Sequence, residues 1–339
     1  MGRARLTDIA REAGVSSATV DRVLNDRPGV RARTRDAVRT AAARLGYIDG
    51  AESPAQPIVP VCRLEMVLPA GTNSFMRELA RHIEQLSALH PEARVTIHSI
   101  EGFDPDSLAA KLAEFGAPDQ GVAVVAIDHP TVREAMRALA LRGSAVITLV
   151  SDIHHVPRAG YVGIDNRSAG RLAGYLVGRL LGPGHHRVAL FAGSLSYRGH
   201  EEREMGFRHV LAEDFPTIGI LDSTEVRDDD SRAHAAAMAM FEAHPDVDAI
   251  YNIGAGNRGI ARALEETGRA RRVIFVGHDL TEHTKGFLLN RTMDVVIDQN
   301  PRVQAREALA QLVRSVKGEP WSALAVRVQA IFRENIPEL

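Results

Sequence analysis

Cysteine is almost missing: Cys62 is the single one in 339 residues. No disulfide framework, cysteine-built zinc site or paired-thiol redox centre can form from these residues. Long apolar runs are missing too. The stretch from Val122 to Ile127 stops at Asp128, far short of the ~20 residues of a membrane helix. Arg3, Arg5 and Asp8 stand where a signal peptide would need an apolar core, so a cytoplasmic protein is expected. No G-x-S-x-G elbow supports a serine hydrolase, and no catalytic residue is assigned. What remains is 45% hydrophobic and 25% charged, the composition of a folded chain, and the length calls for two or three domains.

Charge is unevenly placed. The total is −2, yet residues 1–50 hold ten Arg against six acids, an excess of four positive charges, which leaves −6 for the rest. A basic module on an acidic body points to a polyanion partner for the small end. Its pattern supplies three short helices. Thr7 can cap the first, and Gly14 breaks it. Ser16 can cap a second through Leu24, and a third spans about Arg33 to Leu45 with Ala37, Val38, Ala41 and Leu45 at helical spacing. Small Ala10, a turn at Gly14 and a core of Val15, Val20 and Val23 make a helix-turn-helix, whose second helix enters the major groove.

The run from Leu6 to Asn25 (L-T-D-I-A-R-E-A-G-V-S-S-A-T-V-D-R-V-L-N), followed by T-R-D-A-V and L-G-Y-I, resembles the DNA-binding headpiece of the lac/galactose repressor family. The resemblance implies that Ser17, Ala18 and Arg22 read base edges, Arg22 by bidentate bonding to guanine. Thr7, Ser16, Thr19, Asn25 and Thr34 are candidates for phosphate contacts that set register. The family's hinge helix, with its Leu wedge in the minor groove, has no counterpart at 49–61. Pro54, Pro57 and Pro60 favour an extended spacer there, and Ile58 is a weak substitute for the wedge.

Beyond the linker, ten apolar runs alternate with helical stretches: Leu64–Leu68, Val95–Ile100, Val122–Ile127, Ala145–Val150, Tyr161–Ile164, Val188–Phe191, Ile218–Leu221, Ala249–Ile253, Val273–Val276 and Val295–Ile297. This is the signature of parallel α/β sheets, and ten strands predict two lobes. Ligands of such sheets bind beyond the strands' carboxyl ends. The polar residues there include Asn73, Asp128, Asp152, Asp165, Asn252, Asp279 and Gln299. Phe75 offers a stacking face, and Arg203 lies on a helix. Such a set suits a sugar or polyol.

D-N-R-S-A-G from Asp165, R-E-M-G-F from Arg203, V-G-H-D from Val276 and D-Q-N-P from Asp298 resemble the same family's effector domain, itself similar to type I periplasmic sugar-binding proteins. The resemblance implies a cleft between lobe 1 (about 62–161 and 291–320) and lobe 2 (about 162–290 and 321–339). It also implies a homodimer on a pseudo-palindromic operator, since no leucine heptad tail follows. One rival motif stands inside the body. Gly254, Gly256 and Gly259 form a G-x-G-x-x-G, with Asp279 twenty residues on, which is the fingerprint of an NAD-binding loop. The other reading of these glycines is close approach of a ligand or neighbouring backbone. The pairs His154-His155 and His185-His186 are poorly spaced for a metal, and Asp228-Asp229-Asp230 reads as a helix opening. The expectation is a DNA-binding repressor with a 1–48 headpiece, controlled by a small polar ligand, with neither cofactor nor metal.

Overall fold

The computed structural model describes residues 5–45, 47, 62–71 and 73–337. They belong to two compact units, Met1–Pro60 and Val61–Leu339. The linker expected at 49–61 lies outside the described residues.

The first unit is α1 (Leu6–Ala13), α2 (Ser17–Leu24) and α3 (Ala32–Arg44) around a core of Ile9, Ala10, Val20, Val23, Val38, Ala41 and Ala42. Gly14 ends α1 at φ +65°, a conformation that costs glycine nothing. Ser16 caps α2 by accepting from the Thr19 amide at 3.2 Å. Thr7 is not the cap of α1. Arg5 holds that position, and its amide donates to Asp8 at 2.9 Å, so an acid three residues in satisfies the helix end. On α3 the buried stripe takes Ala42, while Ala37 faces solvent.

In the second unit the chain builds β1 (Cys62–Pro69), α4 (Ser74–Ser87), β2 (Ala93–Ile100), α5 (Pro105–Ala113), β3 (Gln120–Val124), α6 (Pro130–Leu141), β4 (Ala145–Leu149) and β5 (Gly160–Val162). These strands form one parallel sheet in the order β2-β1-β3-β4-β5. Every residue of β3 is buried, as a central strand covered on both faces requires. A second lobe follows: α7 (Asn166–Leu181), β6 (His186–Ala192), α8 (Arg198–Asp214), β7 (Ile218–Glu225), α9 (Asp230–Ala243), β8 (Ala249–Asn252), α10 (Asn257–Glu266), β9 (Ile274–His278), α11 (Glu282–Asn290) and β10 (Val295–Asp298). Then α12 (Pro301–Val316) returns to the first lobe, where Leu309 and Leu312 join its core, and β11 (Gln329–Ile331) closes the second sheet as an antiparallel edge. That sheet has the order β11-β10-β9-β8-β6-β7.

All ten predicted runs are strands, and β11 is an addition. One crossing differs from expectation. Because β10 pairs with β9 in register Val295↔Val276, it belongs to the second lobe, and the chain crosses at 299–300 rather than near 290. The return after α12 follows Trp321, which packs on Gly160 and the first lobe's core; Val326 is already in the second lobe's core.

Helices α7 and α8 approach unusually closely. A Cβ on Gly170 would lie 1.9 Å from the Arg203 carbonyl oxygen, and one on Gly206 would lie 2.2 Å from that of Arg167. The two glycines let backbone meet backbone, which sinks Arg203 to 3% exposure beside the sheet.

Candidate functional site

On the first unit, α2 presents Ser17, Ala18 and Arg22 to solvent on one face. Ser16 and Asn25 are also exposed, and Thr19 is half-buried. Their arrangement is locally braced. Ser16 and Thr19 hydroxyls lie 2.9 Å apart, and the Asn25 side-chain amide donates to the Asp21 carboxylate at 2.9 Å. Asp21 also pairs with Arg27 at 3.3 Å. Thr7 is exposed in the first turn of α1, and Thr34 is half-buried in the first turn of α3.

On the second unit, a cavity of about 260 Å³ lies between the lobes, at the carboxyl ends of both sheets. Five of the nine expected ligand residues line it: Asn73, Phe75, Arg203, Asp279 and Gln299. The Arg203 Nε donates to Asn166 Oδ1 at 2.8 Å and one Nη donates to the Ile253 carbonyl at 2.9 Å. The guanidinium is thus fixed, while N–H groups of its other nitrogen remain for a ligand. Gln299 donates to Asp279 Oδ1 at 2.7 Å, and its own Oε1 is buried without a partner among the described residues. Burial pushes the Asp279 carboxyl up to about 7, against the opposing pull of Arg203 and of the Gln299 hydrogen bond.

Four expected residues do not line the cavity. Asp128 pairs with Arg133, which consumes its charge. Asp152 accepts from Thr148 and Arg158, each at 2.6 Å, and braces the loop after β4. Asp165 caps α7 through the Ser168 amide at 2.9 Å. Asn252 shapes the following loop, its amide donating to the carbonyls of Gly254 and Ala255 at 3.1 and 3.2 Å and to Asn257 Oδ1 at 2.8 Å.

The cavity also recruits residues that sequence reasoning passed over. The sequence suggests a helix opening for Asp228, a role that Asp229 fills by accepting from the Arg232 amide. Asp228 instead turns into the cleft, where it accepts from the Asn73 side chain at 2.9 Å and from the Ala255 amide at 3.0 Å. His200 lines the wall with Nδ1 3.0 Å from the Ser194 carbonyl. Burial holds its imidazole below the ordinary value, opposed by Asp228. Tyr197 and Phe103 meet edge to face, 5.3 Å apart. Val150 lines the cavity at φ +66°, a conformation that costs a β-branched residue on the order of 1–3 kcal/mol.

The Gly254–Gly259 loop packs rather than cradling a dinucleotide. A Cβ on Gly254 would sit 2.8 Å from both Asp228 Oδ1 and the Gly193 amide nitrogen, and one on Gly259 would sit 2.0 Å from the Asp230 carbonyl. Asp279, the candidate ribose acid, accepts from Gln299 and lines the interlobe cavity. The glycines are therefore explained by close approach of α9 and its preceding turn, and nothing favours NAD. Among the described residues no cluster of three or more metal-ligating side chains exists, and no helix is long and apolar enough to cross a membrane.

Comparison with known proteins follows this division. Residues 5–49 match the model of bacterial regulatory proteins of the lacI family, and residues 64–320 match that of a periplasmic binding protein domain. An uncharacterized HTH-type transcriptional regulator of Streptomyces limosus is 34% identical over 213 residues, covering 62% of this chain and 58% of that protein. Catabolite control protein A of Priestia megaterium is 26% identical over 273 residues, covering 80% of this chain and 73% of that protein. Among solved structures, a glucose-galactose binding protein from Geobacillus stearothermophilus superposes with a TM-score of 0.73 at 20% identity, over 82% of this chain and 99% of that one. A solute binding protein from Burkholderia graminis in complex with D-arabinose does so with a TM-score of 0.74 at 19% identity, over 81% and 97%. The chain's body belongs to the periplasmic binding protein domain family, and its headpiece is a DNA-binding region of the lacI family of bacterial regulatory proteins.

Proposed function

We propose that this chain is a cytoplasmic transcription repressor that binds operator DNA as a homodimer and whose operator affinity is set by a sugar or related polyol in the interlobe cavity. Ser17, Ala18 and Arg22 read base edges, while Ser16, Thr19 and Asn25 hold phosphates and position the helix that carries them. In this reading the ligand is sensed rather than transformed, and the cavity residues act on it as hydrogen-bond donors and acceptors.

The observation that carries the ligand reading is the convergence of Arg203, Asp279, Gln299 and His200 on one small cavity, each braced by a neighbour with bonding capacity left over. Vicinal hydroxyls satisfy a carboxylate and a guanidinium together, and a wrong ligand leaves those groups unpaired. The volume, about 260 Å³, is below the ~300–1,000 Å³ typical of clefts for drug-sized ligands, as suits a monosaccharide. Proteins of the same fold are named for binding glucose, galactose and arabinose, which supports this class. A thermal-shift screen of monosaccharides, run beside titration of labelled genomic DNA fragments, tests the proposal. A stabilising sugar and salt-sensitive DNA binding are expected; absence of both would end it.

A further inference from the structure

The cavity's two walls differ in chemistry, and the difference narrows the ligand class; this inference rests on the sugar reading above. The second lobe contributes the polar groups with bonding capacity to spare: Arg203, Asp279, Gln299 and His200. The first lobe contributes Phe75, Met76, Phe103, Val125 and Val150. Its polar side chains there are few, and two of them bond across to the second lobe. Asn73 donates to Asp228 and accepts from the Met76 amide at 3.3 Å. Ser151 accepts from the Gly199 amide at 3.3 Å, and Glu101 is exposed at the rim. A ligand hydroxyl turned toward this wall would find fewer polar partners than on the second lobe.

Val150 sharpens the point. It holds φ +66°, a conformation suited to glycine or asparagine, yet it is a branched apolar residue that lines the cavity. A strained residue at a ligand wall points to a contact with the ligand. We propose that the ligand is a 6-deoxyhexose: a pyranose whose ring hydroxyls bond to the second lobe and whose methyl group, in place of the usual hydroxymethyl, packs against Val150, Val125 and Met76.

The test is calorimetric titration of the full chain with matched pairs: D-fucose against D-galactose, L-fucose against L-galactose, L-rhamnose against L-mannose, and 6-deoxy-D-glucose against D-glucose. In the pair of correct ring configuration, the deoxy sugar is expected to bind about 10- to 100-fold tighter than its 6-hydroxy partner, the range a hydrophobic pocket can discriminate. Val150→Thr, which keeps the branched shape and adds a hydroxyl, is expected to shrink that ratio at least about threefold. If hydroxylated hexoses bind as tightly or tighter in every pair that binds, the deoxyhexose assignment is overturned and the sugar reading stands. If no sugar of either kind binds, both fall. If Val150→Thr leaves the ratio unchanged, the methyl-facing wall is wrongly placed.

Discussion

The two recognition surfaces of this chain are held in opposite ways. On the headpiece, the groups proposed to meet DNA are mostly exposed, and their braces are close in sequence: Ser16 to Thr19, Asn25 to Asp21, Arg27 to Asp21. In the body, the groups proposed to meet the ligand are largely buried, and their braces are remote in sequence. Arg203 is held by Asn166 and Ile253, Gln299 holds Asp279, and Asn73 reaches Asp228 from the other lobe. An exposed, locally braced group can be removed at the expense of recognition alone. A buried one is part of the fold's own bonding, so its loss damages stability and recognition together.

Arg203→Ala breaks the comparison most directly. It strands the Asn166 amide and the Ile253 carbonyl and leaves Asp279 without its opposing cation. Denaturant unfolding should show a loss of about 3–5 kcal/mol, together with loss of any sugar-induced thermal shift. Gly254→Ala follows. A Cβ there meets Asp228 Oδ1 and the Gly193 amide nitrogen, and the overpacking should cost about 1–3 kcal/mol. Unaltered stability in a thermal melt would show the loop to be looser than described.

Arg22→Ala probes the other surface. Discrimination at one operator base pair should fall by about 1–3 kcal/mol in competition binding, while unfolding stability stays within about 0.5 kcal/mol. A comparable loss of stability would erase the contrast between the two surfaces. The subtlest effect is in pH. Folded Asp279 keeps its proton up to about 7, whereas an unfolded Asp releases it near pH 4. The folded state therefore holds the extra proton between those values, and stability falls as pH rises from about 4 to about 7, then levels. Arg203, Gln299, Asp298, Asp228 and His200 surround or bias this carboxyl. Asp279→Asn should flatten this part of the unfolding profile; an identical slope in both proteins would remove Asp279 as its source.

The same contrast explains what was legible in the chain. The helix-turn-helix could be read because its caps, turn and core lie within a few residues of one another. The ten apolar runs were equally visible, since each strand buried on both faces is a continuous local signal. The short edge strand Gln329–Ile331 offers no such run. The lobe crossing at 299–300 was misplaced because membership of β10 is decided by its pairing with β9, a long-range fact. At the site, Asp165 and Asp228 exchanged roles relative to expectation. Capping and ligand binding draw on the same carboxylates, and only the tertiary path of the chain distinguishes an Asp that closes a helix from one that turns into a cleft. The glycine fingerprint was ambiguous for a similar reason. Glycines that permit backbone contact with α9 have the same spacing as glycines that admit a pyrophosphate.

The central claim is that occupation of the interlobe cavity sets DNA affinity. Fluorescence anisotropy of a bound genomic fragment, titrated with the sugar that stabilises the protein, measures this directly. The account predicts a saturable change in DNA affinity of at least about tenfold, equal to about 1.4 kcal/mol of coupling, absent in Asp279→Ala. A sugar that fills the cavity of the wild-type protein and leaves its DNA affinity unmoved would contradict it.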